Sequence, residues 1–145
     1  MMNNDNSITV ETKLFGFIAE EAHSNRFSVT VNKLFKASGS NSMVIPMNIR
    51  PDDVAFTISQ MRSSKLNGAL VSTEYQQEAF TLLDDMSNLV QKNGYCDFIR
   101  IENGKLFGEL IAPTALEKFA EMFEDDIALN ALSHYFYELT TGETK

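Results

Sequence analysis

Apolar positions recur along this chain in two rhythms, short runs and helical stripes. Lys13–Ala19 (KLFGFIA) reads as a buried strand, with Gly16 inside it marking a place of close approach. Met43–Asn48 is a second strand whose Pro46 predicts an edge position or a bulge. Ala69-Leu70-Val71 is short enough for a third, buried strand, entered through Asn67-Gly68. Cys96–Glu102 (CDFIRIE) alternates as a half-buried strand does. Asn103-Gly104, which tolerates positive φ at both positions, turns it into a partner strand over Lys105–Ile111.

Between these runs the spacing becomes helical. Val31, Leu34 and Phe35 make the apolar face of a helix over Ser28–Ser38, with Gly39 at its C-terminal cap. Pro51-Asp52-Asp53 opens another, with proline in the first turn and carboxylates at the positive end of the dipole. Val54, Ile58 and Met61 follow on one face. Phe80, Leu83, Met86 and Val90 predict one helix from about Glu74 to Lys92, ended by Asn93-Gly94. Pro113 opens a helix bearing Leu116, Phe119, Ala120 and Phe123. A last one, with Ile127, Ala131, Leu132, Tyr135, Phe136 and Leu139, ends near Gly142. Tyr135-Phe136-Tyr137 spans both sides of that helix, so at least one ring is expected at the surface. The sum is a three-layer α/β fold: a mixed, mainly parallel sheet with a β-hairpin, helices on both faces, and C-terminal helices over 113–141.

Composition narrows the classes. At 145 residues and 43% apolar, the chain predicts one domain over 12–145 behind a flexible tail over 1–11. No apolar run approaches the roughly 20 residues of a membrane span. The start, MMNNDNSITVET, lacks the basic and apolar regions of a signal peptide. The lone Cys96 forms no intrachain disulfide, so a reducing cytoplasm is the expected compartment.

The net charge of -8 argues against nucleic acid as a partner. Glu109–Lys145 holds eight acidic residues against two basic ones. This run is either a solvated helical face or a docking surface for a basic protein. In the second reading Glu117, Glu121, Glu124, Asp125, Asp126 and Tyr137 contact the partner. Asp84-Asp85 and Asp125-Asp126 read as solvated helix surface. His23 and His134 fall in no metal-binding spacing, and Cys96 reads as a small buried strand residue. No metal or cofactor is expected.

The stretch NGALVSTEYQQEAF, Asn67–Phe80, resembles the substrate-binding domain of shikimate dehydrogenases, whose pattern here is G-x-N-V-T-x-P-x-K-E. Gly68, Val71 and Glu78-Ala79-Phe80 fit without a gap. So do the Asn103-Gly104 hairpin and the order of elements over 12–113. In the family's H-S-x-S-P loop, His23-Ser24 fits and Ser28 lies near the second serine, out of register. The departures fall on the chemistry. The substrate-binding Asn becomes Leu70, the Pro becomes Glu74 and the catalytic Lys becomes Gln76. The catalytic Asp of N-T-D-G becomes Ala112 and its Asn becomes Leu110. The Asn-Thr of A-V-N-T becomes Asp97-Phe98. A glutamine side chain cannot exchange protons near neutrality. No G-x-G-x-x-G occurs, and about thirty residues after Pro113 are too few for the family's nicotinamide-binding domain.

The resemblance therefore implies a domain without its chemistry. The expectation is a non-catalytic protein that recognises a partner protein, in one form an immunity or antitoxin type facing a basic toxin. The alternative is a small-molecule sensor using a remnant cleft, in which Ser24, Ser28, Ser72, Gln76 and Asp97 are the ligand-binding candidates and Leu70 and Phe98 are placed to fill the space.

Overall fold

The computed structural model describes residues 11–142. The expected tail therefore lies, but for Glu11, outside the described residues. Six strands form one mixed sheet in the order β2-β1-β3-β5-β6-β4. They are β1 Lys13–Ala19, β2 Ser42–Asn48, β3 Gly68–Val71, β4 Asp85–Met86, β5 Phe98–Glu102 and β6 Lys105–Glu109. β1 pairs in parallel with β2 and β3, while β5 is antiparallel to both β3 and β6. Pro46 lies on the edge strand β2, where a missing N–H breaks no ladder bond. Asn103 and Gly104 take φ of 54° and 73°, the left-handed pair that the tight β5–β6 turn requires.

Alternation along β1 sends Phe15 and Phe17 to one face and Ile18 to the other. On the first face they meet Phe27, Val31 and Phe35 of α1 (Phe27–Ser38) and Phe136 of α6 (Ile127–Thr141). On the second face Ile18, Ala69 and Ile99 pack with Val54 and Ile58 of α2 (Val54–Gln60), Ala79 of α3 (Gln76–Phe80) and Val90 of α4 (Asn88–Asn93). α5 (Ala112–Phe119) packs on α6 through Ala115, Phe119 and Ala131. Gly39, with φ of 74°, ends α1 in the left-handed conformation that a C-terminal cap favours.

Two expectations are corrected. The long helix over Glu74–Lys92 is instead a 3-10 turn at Thr73–Tyr75, then α3, β4 and α4. α3 ends at Phe80, and beyond it Asp84 holds the chain beside β6, its carboxylate accepting from the N–H of Leu106 at 2.8 Å and from the Arg62 guanidinium at 2.9 Å. Ser87 then caps the new helix by accepting from Val90 N–H at 3.3 Å. Leu83 lies over Gly108, where a Cβ would come within 2.3 Å of it. Its helical spacing thus serves a strand-to-sheet contact, and Asp84-Asp85 is not helix surface. The second correction concerns the aromatic triplet. Phe136 and Tyr137 are 1% and 3% exposed and Tyr135 is half-buried, because α6 packs between α1 and α5 and needs an apolar face on each side.

Candidate functional site

In open α/β sheets, ligands sit beyond the carboxyl ends of the parallel strands. Here those ends are Ala19, Asn48 and Val71. The polar groups gathered there are bonded mainly to one another. The Glu74 carboxylate accepts from Glu20 N–H at 2.9 Å and from the Ser72 hydroxyl at 2.8 Å, tying the end of β3 to the end of β1. Burial opposes its charge, but these hydrogen bonds prevail and hold its carboxyl below the usual range. Asn48 Oδ1 accepts from His23 N–H at 3.1 Å and lies 3.0 Å from His23 Nδ1, tying β2 to the 3-10 turn Ala22–Ser24. The Tyr75 hydroxyl donates to the carbonyl of Ile49 at 2.6 Å. Burial, with the charges of Glu20, Glu74 and Glu78, pushes this phenol up from its ordinary value, so it remains a donor.

The candidate ligand residues are dispersed among internal roles. Ser24 is exposed and donates to Glu21 O at 2.9 Å. Gln76 donates through Nε2 to Val71 O at 2.9 Å, filling the first turn behind β3. Ser72 serves Glu74. Ser72, Gln76 and Asp97 gather at the end of β3, where Val71 N–H donates to the carbonyl of Asp97 at 2.9 Å. Ser28 is 3% exposed, within the first turns of α1, and its hydroxyl is buried without a hydrogen-bond partner. The sequence places Ser28 at the start of this helix and offers it as a ligand-binding candidate, but its neighbours Phe27 and Val31 carry that turn into the core.

Asp97 is the largest correction. Its carboxylate is 5% exposed and accepts from the N–H groups of Ile111 and Ala112, each at 2.8 Å. Burial pushes its carboxyl up, against the pull of these hydrogen bonds. It anchors the start of α5. Leu70 and Phe98, placed by sequence as cleft fillers, belong to the core on the α1–α6 side. Glu74, Asn48, His23 and Tyr75 were missed as organising residues. The one sequence signal for them was the replacement of the family's Pro by Glu74.

On the acidic surface, Glu117, Glu121, Glu124, Asp125 and Asp126 are exposed, as a solvated or partner-facing surface requires. Asp126 pairs with Arg26 at 3.2 Å, and Lys118 pairs with Glu138 at 2.8 Å. Glu117, Glu121, Glu124 and Asp125 enter none of the ion pairs among the described residues. Leu116, Met122 and Ile127, exposed by 42%, 54% and 41%, are interspersed among them. Tyr137 does not share this surface. Its ring is packed 6.1 Å from that of Phe35, centroid to centroid, in the core between α6 and α1.

No protein-family model matches the chain. It is 28% identical over 119 residues to the NADP(+)-dependent shikimate dehydrogenase of Pyrococcus furiosus, covering 79% of this chain and 44% of that one. It is 25% identical over 101 residues to the shikimate dehydrogenase of Aquifex aeolicus, covering 70% of this chain and 38% of that one. The crystal structure of the Aquifex aeolicus enzyme superposes with a TM-score of 0.71 at 22% identity, over 81% of this chain and 44% of that one. The chain thus spans less than half the length of these relatives. Over the region compared, it has the α/β fold of shikimate dehydrogenases and is similar in sequence to the portion of them that carries the substrate-binding pattern.

Proposed function

We propose that this chain is a non-catalytic binding protein built on a shikimate-dehydrogenase-like domain, and that it recognises a basic partner protein through its C-terminal acidic surface. The observation that carries the reading is the patch from Leu116 to Ile127. There, four carboxylates without ion pairs among the described residues alternate with exposed apolar side chains. Apolar anchors ringed by one sign of charge suit a partner of opposite charge, with the charge accelerating encounter and the anchors holding contact. An immunity or antitoxin role against a basic toxin is one form of this function.

The non-catalytic part is supported by what the family's chemical positions do here. Gln76 has no acid or base function near neutrality, and its Nε2 donates to Val71 O. Ala112 carries no acid, and Asp97 is committed to the backbone beside it. A small-molecule role for the strand ends is not favoured, since Glu74, Ser72, His23 and Asn48 use their polar groups on each other.

The test is affinity capture with the tagged chain from its native cells, beside a variant carrying Glu121→Lys, Glu124→Lys and Asp125→Lys. A basic protein retained by the parent chain and lost by the variant supports the reading. A partner retained equally by both overturns the assigned surface. Oxidation of shikimate with NADP(+) by the purified chain would overturn the non-catalytic assignment.

A further inference from the structure

Helical spacing divides α1 into two faces. Phe27, Val31 and Phe35 enter the core, while Val29, Lys33 and Lys36 follow one another up the exposed side. With Ser40 and Ser42 beyond the Gly39 cap, this exposed row borders a groove of about 330 Å³ between α1 and the edge strand β2. Asn32 sets the spacing of the two walls. Its Nδ2 donates to Val44 O at 2.9 Å and its Oδ1 accepts from Val44 N–H at 2.8 Å, so two hydrogen bonds tie the helix to the strand. Val44 packs on the α1 side of the sheet, and Ser42, two residues before it, points to the same side. The Ser40 hydroxyl lies 2.9 Å from that of Ser38, whereas the Ser42 hydroxyl enters no hydrogen bond among the described residues.

In a chain of net charge -8, this groove is cationic and has no carboxylate in its wall. The ion pairs among the described residues engage Arg26, Arg50, Arg62, Arg100 and Lys118. Lys33 and Lys36 enter none of them and are exposed, so both ammonium groups are open to an incoming ligand. Val29 is 57% exposed, and with the aliphatic stems of the two lysines it makes an apolar strip beside the charges. From Val29 to Lys36 the strip runs about 10 Å at 1.5 Å per helical residue, the span of about three residues of extended chain. A compact inorganic anion would meet the ammonium groups and leave the strip in water. Two lysines in so acidic a chain are too few for a nucleic-acid backbone. A peptide with an apolar side chain beside carboxylates covers both parts.

We propose that the groove between α1 and β2 binds a short acidic peptide segment in extended form, its carboxylates at Lys33 and Lys36 and an apolar side chain on Val29. None of these residues belongs to the C-terminal acidic surface, so the site stands or falls independently of the partner-binding reading.

The experiment is a ¹H–¹⁵N titration of the full chain with a blocked Leu-Glu-Glu tripeptide, beside a blocked Leu-Gln-Gln tripeptide and inorganic phosphate. The expected result is saturable shifts at the amides of Val29, Lys33, Lys36 and Ser42. The neutral tripeptide binds about tenfold more weakly, the loss expected for two exposed ion pairs. Lys33→Gln with Lys36→Gln gives the same loss for the acidic tripeptide. Lys65→Gln with Lys92→Gln, at two exposed lysines elsewhere, leaves its affinity unchanged. Val29→Ser weakens both tripeptides and leaves phosphate as it was. All five positions are exposed, so the variants keep the dispersed spectrum of the parent. Absence of saturable shifts, equal binding of the two tripeptides, equal loss in both lysine pairs, or phosphate matching the acidic tripeptide would each overturn the proposal.

Discussion

The carboxylate of Asp97 accepts from the backbone N–H of Ala112 at 2.8 Å. In the resemblance to shikimate dehydrogenases these two positions are the expected counterparts of a substrate-binding asparagine and the catalytic aspartate. In this chain one now holds the backbone of the other. The bond joins the start of β5 to the start of α5 and so serves the packing of the C-terminal helices.

Replacing Asp97 with alanine removes the acceptor for both Ile111 and Ala112. The expected loss is about 1–3 kcal/mol, read from urea unfolding. The pH dependence has a definite sign. The native carboxyl of Asp97 is raised above its unfolded value near 3.9, so the folded state holds the proton more tightly. The contribution of Asp97 is then full below that value and declines as pH rises through the native pKa. Denaturation of the parent and Asp97→Ala chains from about pH 3, below the unfolded carboxylate value, up to about pH 7 should show their difference shrinking upward. A difference that grows with pH would contradict the burial described here.

Asp84 should behave in the opposite way. The hydrogen bond from Arg62, then that from Leu106 N–H, holds its carboxyl below the usual range. Its stabilisation is present above the unfolded carboxylate pKa and is lost as pH falls through the lower native one. Its side chain is 34% exposed, so solvent screens the pair. Asp84→Ala is expected to lose about 1 kcal/mol at neutral pH and progressively less in acid. The check is again denaturant midpoints, compared at neutral pH and near pH 3, about one unit below the ordinary carboxylate value.

Asn32 protects the sheet edge. Val44 N–H donates to its Oδ1 at 2.8 Å, and its Nδ2 donates to Val44 O at 2.9 Å, so one side-chain amide imitates a neighbouring strand. Two positions along, Pro46 offers no donor. Asn32→Ala uncovers Val44 on β2 and is expected to promote self-association through that edge. Light scattering behind size exclusion would show a concentration-dependent larger species. A strictly monodisperse variant matching the parent at every concentration would count against this role.

Cys96 should be inert in the folded chain. It is fully buried, and burial together with the nearby charge of Asp97 pushes its thiol up to about 12. At mildly alkaline pH a thiol reagent is expected to label it only after denaturant is added. Rapid labelling of the native chain would mean that the region behind β5 opens on its own.

Local chemistry made much of the fold legible in the sequence. β1, the edge position of Pro46, the Asn103-Gly104 hairpin, and the glycine caps after Ser38 and Thr141 depend on residues within a turn or a strand of each other. Periodicity failed at Phe80–Val90, because Arg62 and Leu106, distant in sequence, capture Asp84 and hold the segment after α3 against the sheet as β4. The candidate site was less legible for a related reason. Resemblance could name positions such as Ser28 and Asp97, and the aromatic triplet pointed to Tyr137, but burial decides what a polar group at each position can do.

The sequence by itself determined the alternation of strands and helices, the acidic C-terminal run, and the presence of Gln76 and Ala112, side chains that are neither acid nor base. These are properties of residue type and spacing. Tertiary structure alone decided that Asp97 turns inward to the N–H groups of Ile111 and Ala112, that Glu74 joins two strand ends, and that Phe98 leans over Gly68. The physical reason is that hydrogen-bond satisfaction and cavity shape depend on groups brought together from remote parts of the chain, which neither periodicity nor composition records.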